Sequence, residues 1–555
     1  MERKTVLRSA VASMSLLTLT ACGLSNNVAP ATAPEAEYCV DTAPATADDG
    51  YYIDSYLGGA TYSQNIATEA EADGLWMYPD TNEDYIQMNT EEYSKIVENV
   101  FKDVATSPLS TFSADVDSAS YSNLRRMINC GYSLDEIPEG AVRAEEMINY
   151  FHYDYDGPEG DEPFGINAMI SDCPWNPENK LLHLGLQTEA IDFSETPDSN
   201  IVLLVDVSGS MYDENKLPLV KEAFGLLIDN LSEKDKVSMV TYASGVSVVC
   251  EGVSGDNKEE ILTALNNLKA GGGTNGSGGI EEAYRIAEAN FIKGGNNRVI
   301  IASDGDFNIG KSSQSELSEQ IQNEAKKGIF LSVLGFGMYN YSDTRMETLA
   351  DDGNGNYAYI DTLHEAKKVL VQELSANMLT VAKDVKLQIE FNPKYVAEYR
   401  LIGYENRALN NEDFNDDKKD AGEIGAGHSV TVLYEIVPAN ENSEGSESNL
   451  KYQESNLTEE ALKSNDWLTL SIRYKEPDED ESRLLEYQIG ADCYTEEPSN
   501  DFIFAASVAE FAMLLRNSDF IADGSFAHVV EELNTIPLND EYRREFATLV
   551  DKFNN

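Results

Sequence analysis

Between Asn200 and about Leu379, short unbroken apolar runs alternate with longer amphipathic stretches. The runs Ile201 to Val205, Val237 to Tyr242, Val246 to Cys250, Val299 to Ala302, Phe330 to Leu334 and Tyr357 to Ile360 have no polar side. They therefore predict strands of a sheet covered on both faces. The stretches Leu217 to Leu231, Lys258 to Leu268, Gly279 to Phe291, Ser315 to Lys327, Arg345 to Ala350 and Leu363 to Met378 predict the covering helices. Strands and helices in alternation give an α/β fold with a Rossmann-like, doubly wound, largely parallel sheet over residues 196–380.

The flanks read differently. In 86–195 the spacing of Tyr93, Ile96, Val97, Val100 and Phe101 predicts a helix from Thr90 to Val104. Helices near Tyr121 to Asn129 and Val142 to Tyr150 follow, then strands at Phe164 to Ser171 and Leu181 to Leu186. Region 381–495 shows strands without long helices between them, at Val385 to Phe391, Val396 to Ile402, Val430 to Ile436 and Leu468 to Tyr474, which suggests a β-sandwich. Part 496–555 is helical. Its Phe502 to Leu515 stretch is apolar but too short for a membrane span, so it predicts a core helix.

The beginning of the chain changes the setting. Arg3, Lys4 and Arg8 precede an apolar stretch from Val11 to Ala21, and Leu19 to Gly23 matches an export signal ending in a lipobox. Residues 1–21 are thus expected to be removed as a lipoprotein signal and Cys22 to carry lipid. Residues 22–85, rich in Ala, Thr, Pro and acidic groups, read as a flexible tether. The expected location is outside the cytoplasm, with the body held to the cell membrane by lipid alone. Charge agrees with that arrangement: 40 Lys and Arg against 98 Asp and Glu give a formal net charge of −58 over 555 residues. Such acidity repels phosphate backbones and anionic bilayers, which excludes nucleic acid as a partner. The cysteines and histidines are scattered without metal-ligand spacing, which argues against a zinc site built on them.

Chemistry concentrates where the apolar runs end. Ile201 to Val205 leads into Asp206, Ser208 and Ser210. A glycine-rich loop, Gly271 to Gly273, presents Thr274, and the run Val299 to Ala302 leads into Asp304. Open α/β sheets bind ligands at the carboxyl ends of their strands. All five groups are hard oxygen donors, suited to a divalent cation such as Mg2+, or Mn2+ or Ca2+ in its place. Three of the five are neutral hydroxyls, so a bound ion would keep much of its charge and seek a carboxylate from outside the chain.

Asp-x-Ser-x-Ser with a distant Thr and a distant Asp-Gly resembles the metal-ion-dependent adhesion site, or MIDAS, of the von Willebrand factor type A (VWA) domain. The resemblance implies that Ser208 and Ser210 bind metal directly, that Thr274 joins them in the open state, and that Asp206 and Asp304 act largely through water. The segments Asn89 to Tyr93, Pro108 to Tyr121, Cys173 to Asn176 and Asp420 to His428 extend the resemblance to bacterial YfbK-type lipoproteins, from about Asn89 to Asn555. That family implies a VWA module between an N-terminal segment and a C-terminal domain of unknown function.

Other readings of the same residues are weaker. The glycine loop lacks the Lys of a phosphate loop, and Ser208 has neither a Gly-x-Ser-x-Gly frame nor a His between His183 and His364. Helix capping by Ser208 and Ser210 would not require Thr274 and Asp304 in register. Asp115 and Asp117 do not follow a buried strand as an aspartyl nucleophile would. Asp413 to Asp417 lacks the Gly and Glu of a calcium loop, and His428 and Trp175 read as structural. The expectation is a non-catalytic envelope lipoprotein that binds a protein or other acidic ligand through a divalent metal. The alternative is an envelope assembly factor in which metal serves stability, and a metal-dependent hydrolase comes third.

Overall fold

Six strands form the central sheet of the computed structural model, in the order Tyr357–Ile360, Ile329–Phe336, Asn296–Ser303, Ser199–Asp206, Lys236–Tyr242, Val246–Ser254. All neighbours are parallel except the last pair, an antiparallel edge. The structure describes residues 89–554 apart from 115–116, 161, 190–196, 306–313, 374–378, 420, 440–456 and 478, all within one compact unit, Ala72–Asn555. The expected signal segment, Cys22 and the tether to residue 85 lie outside the described residues.

Strand side chains point alternately to opposite faces, and the core follows that alternation. Ile201, Leu203 and Val205 pack with Val220, Phe224 and Leu227 of helix Leu217–Asp229 on one face. Val202 and Leu204 pack with Ile280, Ala283 and Ile286 of helix Gly276–Ala289 on the other. Two covered faces explain why these strands are apolar throughout.

The flanking regions share sheets. One antiparallel sheet runs Lys102–Asp103, Val396–Ile402, Ser429–Pro438, Asn176–Thr188, Phe164–Cys173, so strands from before and after the central α/β unit lie side by side. Leu433, for example, is paired with His183. The second sheet contains Ile424–Gly425, Thr380–Phe391, Asp466–Lys475 and Arg483–Gly490, with Leu109–Ser113 also paired to Thr380–Phe391. Leu182, Leu184, Val432, Leu387 and Ile389 fill the space between the two sheets as a sandwich core. The helices Ala119–Asn129 and Ala144–Asn149 likewise join Asn500–Leu515, Phe526–Leu533 and Glu541–Asp551 in one helical core around Tyr121, Phe151, Phe504, Phe511 and Phe546. The α/β unit is thus inserted into a fold that the two flanks build together.

The expected helix from Thr90 to Val104 is absent. The segment has no regular structure apart from a single bridge between Glu92 and Ser342, leaves Val97 and Val100 exposed, and ends in the short strand Lys102–Asp103. Its backbone bonds elsewhere instead: Thr90 N–H donates to the Tyr339 carbonyl (2.6 Å) and Glu92 N–H to that of Tyr341 (3.0 Å). These tertiary bonds satisfy the groups a helix would pair internally, and apolar spacing alone does not outweigh them. The helix expected over Leu363 to Met378 is α-helical only to Lys367 and continues as a π-helical stretch, Lys368–Glu373. Strands without a clear apolar signal include Leu109–Ser113 and the half-exposed edge Arg483–Gly490. The apolar stretch near the C-terminus is a helix, Asn500–Leu515, buried on nearly every side. No helix among the described residues is long and apolar enough to cross a membrane.

Candidate metal site at the sheet edge

Register brings the sequence-distant acids to one edge. Val205 pairs with Ala302 in parallel, so Asp206 and Asp304 leave adjacent strands at their carboxyl ends. The chain passes from Ser199–Asp206 to a neighbour on one side and later returns on the other, so this edge lies where the strand order reverses.

The loops then interlock. Asp206 Oδ1 accepts from the Ser208 N–H (2.8 Å), and Ser303 Oγ donates to Oδ2 (3.3 Å). The Ser208 and Ser210 hydroxyls are 3.0 Å apart, and Ser210 hydrogen-bonds Asp304. Gly271 N–H donates to the Val207 carbonyl (2.8 Å) and Gly209 N–H to that of Gly272 (3.0 Å), which stitches the loop carrying Thr274 to the loop carrying the serines. Gly272 adopts φ +91°, and a Cβ there would come within 2.8 Å of Ser244 Oγ, the group that accepts from Gly273 N–H (2.7 Å). Only glycine tolerates both that conformation and that approach.

Asp206, Ser208 and Asp304 are buried, Ser210 and Thr274 are half-buried, and the rim at Gly271 to Gly273 and Tyr212 to Glu214 is exposed. The carboxylates and Ser208 are buried, and Ser210 and Thr274 are nearer the solvent. Burial pushes the Asp206 carboxyl up to about 6 despite its Ser208 bonds, with the neighbouring Asp304 charge adding to the rise. Burial acts upward on Asp304 too, but the Lys216 ammonium and the bonds from Asn340 and Ser210 outweigh it and hold this carboxyl below its ordinary value.

Lys216 and Asn340 did not stand out in the sequence. Lys216 precedes helix Leu217–Asp229, and its Nζ lies 3.0 Å from Asp304 Oδ2 and 3.2 Å from Asn340 Oδ1, while Asn340 Nδ2 donates to the same Asp304 oxygen (3.1 Å). A lone basic residue between Asp213 and an apolar helix was the available signal for Lys216. Asn340 had none, because it arrives from a loop after a different strand.

As a donor set, two carboxylates and three hydroxyls fit a hard divalent ion with part of its shell left open. Among the described residues no group of three His, Cys, Asp or Glu could hold a metal, so any metal at this edge depends on the hydroxyls. The other sequence candidates are structural. Asp117 accepts from Tyr357 N–H (2.9 Å) and pairs with Arg407 (3.0 Å), whereas Asp115 is outside the described residues. Asp413 forms a capping box with Asn410. Trp175 is fully buried with its indole N–H toward Glu435 (3.3 Å).

Known proteins match all three parts of the described chain. The von Willebrand factor type A domain family matches residues 200–373, a family described as von Willebrand factor matches 87–183, and one described as uncharacterized protein YfbK, C-terminal, matches 376–555. The chain is 40% identical to uncharacterized protein YfbK of Escherichia coli over 471 residues, which is 83% of this chain and 81% of that protein. It is 24% identical over 261 residues to human inter-alpha-trypsin inhibitor heavy chain H3, of which it spans 28%. Among solved structures, a von Willebrand factor type A protein from Catenulispora acidiphila overlaps 80% of this chain and 88% of its own, at 15% identity and a TM-score of 0.37.

Proposed function

Because the chain belongs to the YfbK family of von Willebrand factor type A proteins, we propose that it is a binding protein that captures an acidic partner through a divalent metal at the sheet edge. The observation that carries this reading is the hydrogen-bonded run Asp206, Ser208, Ser210, Asp304, with buried acids at its ends and the half-buried Ser210 within it. Ser208, Ser210 and Thr274 would hold the ion, with Asp206 and Asp304 beneath them. The ion would supply a positive centre of limited neutralisation, and a glutamate or aspartate from the partner would complete its shell.

The rim suits such a partner. Tyr212 follows the serine loop with 80% of its surface exposed, an amphipathic anchor beside the metal position. The strongly acidic surface repels an acidic partner at long range, so capture should strengthen with moderate salt. Among the described residues no base is bonded to Ser208: its hydroxyl bonds Ser210, whereas His183 bonds Tyr155, His364 lies against Tyr542, and His528 bonds Glu510. We read the chain as non-catalytic, with Mg2+ as the ion and, from the lipobox at Cys22, a lipid-anchored body on the extracytoplasmic side of the membrane.

The test is capture from an envelope extract on the immobilised full chain, in Mg2+, in EDTA, and with Asp304→Ala. The reading expects a specific partner in Mg2+ that is lost with chelator and with the variant. Equal recovery in all three would favour an assembly role carried by the flanking sandwich.

A further inference from the structure

Among the described residues, Lys216 is a basic group bonded directly to the five-residue set, and its position is built. It is 2% exposed, and its stem runs past Gly337, which adopts φ +78°, where a Cβ would overlap the lysine Cγ, Cδ and Cε. The Gly337 carbonyl is fixed by the Tyr359 hydroxyl. The ammonium then lies within reach of Asp304 Oδ2 (3.0 Å) and Asn340 Oδ1 (3.2 Å), with Asn340 Nδ2 completing the triangle on Asp304 (3.1 Å). Burying an ammonium beside a carboxylate is costly unless the geometry is good, and here a slot, an amide and an acid are arranged to hold it.

We infer that Lys216 is a built-in counter-ion to Asp304 that weakens the site's own hold on divalent metal and leaves the bound ion dependent on a carboxylate from outside the chain. The inference rests on the metal-binding reading above and deepens it. Asp206 and Asp304 carry the negative charge of the set, and the ammonium offsets part of it. With the ammonium 3.0 Å from Asp304 Oδ2, an ion held by the set would keep surplus positive charge and meet a like charge. A partner's carboxylate restores the balance. Metal and partner would therefore bind together far better than either alone, and Lys216 is the positioning residue that sets this coupling.

Isothermal titration of Mn2+ into the full chain, with and without acetate as the carboxylate probe, tests the inference on wild type, Lys216→Gln and Asn340→Asp. Removing the ammonium in Lys216→Gln should tighten Mn2+ binding about tenfold or more and shrink the enhancement by acetate. Asn340→Asp adds a negative charge while keeping the lysine, so it should tighten Mn2+ as well. Unchanged or weaker Mn2+ binding in a folded Lys216→Gln protein overturns the inference. If that variant does not fold, Asn340→Asp decides by the same criterion. Absence of binding in all three proteins would instead bring down the metal-binding reading, and the inference with it.

Discussion

Two kinds of buried charge cluster serve opposite purposes in this molecule. At the seam between the inserted α/β unit and its flanks, Arg125 reaches Asp361 (2.5 Å), Glu365 (2.7 Å) and the Tyr150 hydroxyl (3.0 Å), and Arg143 joins Glu146 and Asp343. Arg407, from the far flank, reaches Asp117 (3.0 Å) and Asp351 (3.1 Å). Each guanidinium meets an acid of the α/β unit and one of a flank, the flank acid being Glu545 for Arg125, Glu146 for Arg143 and Asp117 for Arg407. At the sheet edge, among the described residues, an ammonium faces one of two carboxylates, and of the three hydroxyl residues Ser208 is buried while Ser210 and Thr274 are half-buried. A closed network fastens three chain segments into one body. An open one leaves chemistry undone for something outside.

The comparison can be broken most forcefully at the seam. Arg143→Ala strands Glu146 and Asp343 without their partner and should cost about 3–5 kcal/mol in denaturant unfolding. A loss under about 1 kcal/mol would mean the seam is not what holds the insertion. The open cluster should respond to metal instead. Mg2+ at a hundredfold excess over its dissociation constant should stabilise wild type by about 2.7 kcal/mol and Asp206→Ala not at all, read from thermal midpoints.

A third variant probes a buried acid that belongs to neither kind. Glu145 packs against Gly403, and its Oε2 has no hydrogen-bond partner among the described residues. Burial, with Glu405 and Glu146 nearby, pushes its carboxyl up from 4.5 to about 8. The folded chain then holds a proton that the unfolded chain has lost, so stability contributed by this group falls as pH rises from about 4.5 to 8. Glu145→Gln should match wild type at pH 4 and exceed it by about 1–3 kcal/mol at pH 8 in paired unfolding curves. A difference that did not change with pH would contradict this. The smallest effect is at the rim: Tyr212→Ala should leave stability within about 0.5 kcal/mol while reducing partner capture in Mg2+.

The inserted unit was legible because its signals are local. Unbroken apolar runs such as Ile201 to Val205 report strands covered on two faces, and parallel strands put Asp206 and Asp304 at one edge whatever lies between them. The flanks were less legible because their structure is made by pairing across the insertion. Nothing in Leu181 to Leu186 announces Ser429–Pro438 as its neighbour, and the run from Thr90 gives up helix for bonds to Tyr339 and Tyr341. The metal-type donors carried a motif. The groups that tune them did not, since Asn340 and the slot at Gly337 reach Lys216 only through tertiary packing.

The central claim is that the open cluster binds a divalent ion through its hydroxyls. Isothermal titration of Mg2+ into the full-length chain, alongside Asp206→Ala and Thr274→Ala, tests it most directly. The account predicts one saturable site in wild type, lost in Asp206→Ala and weakened in Thr274→Ala, with all three proteins sharing the same circular dichroism spectrum. No binding in wild type, or binding unchanged in Asp206→Ala, would contradict it.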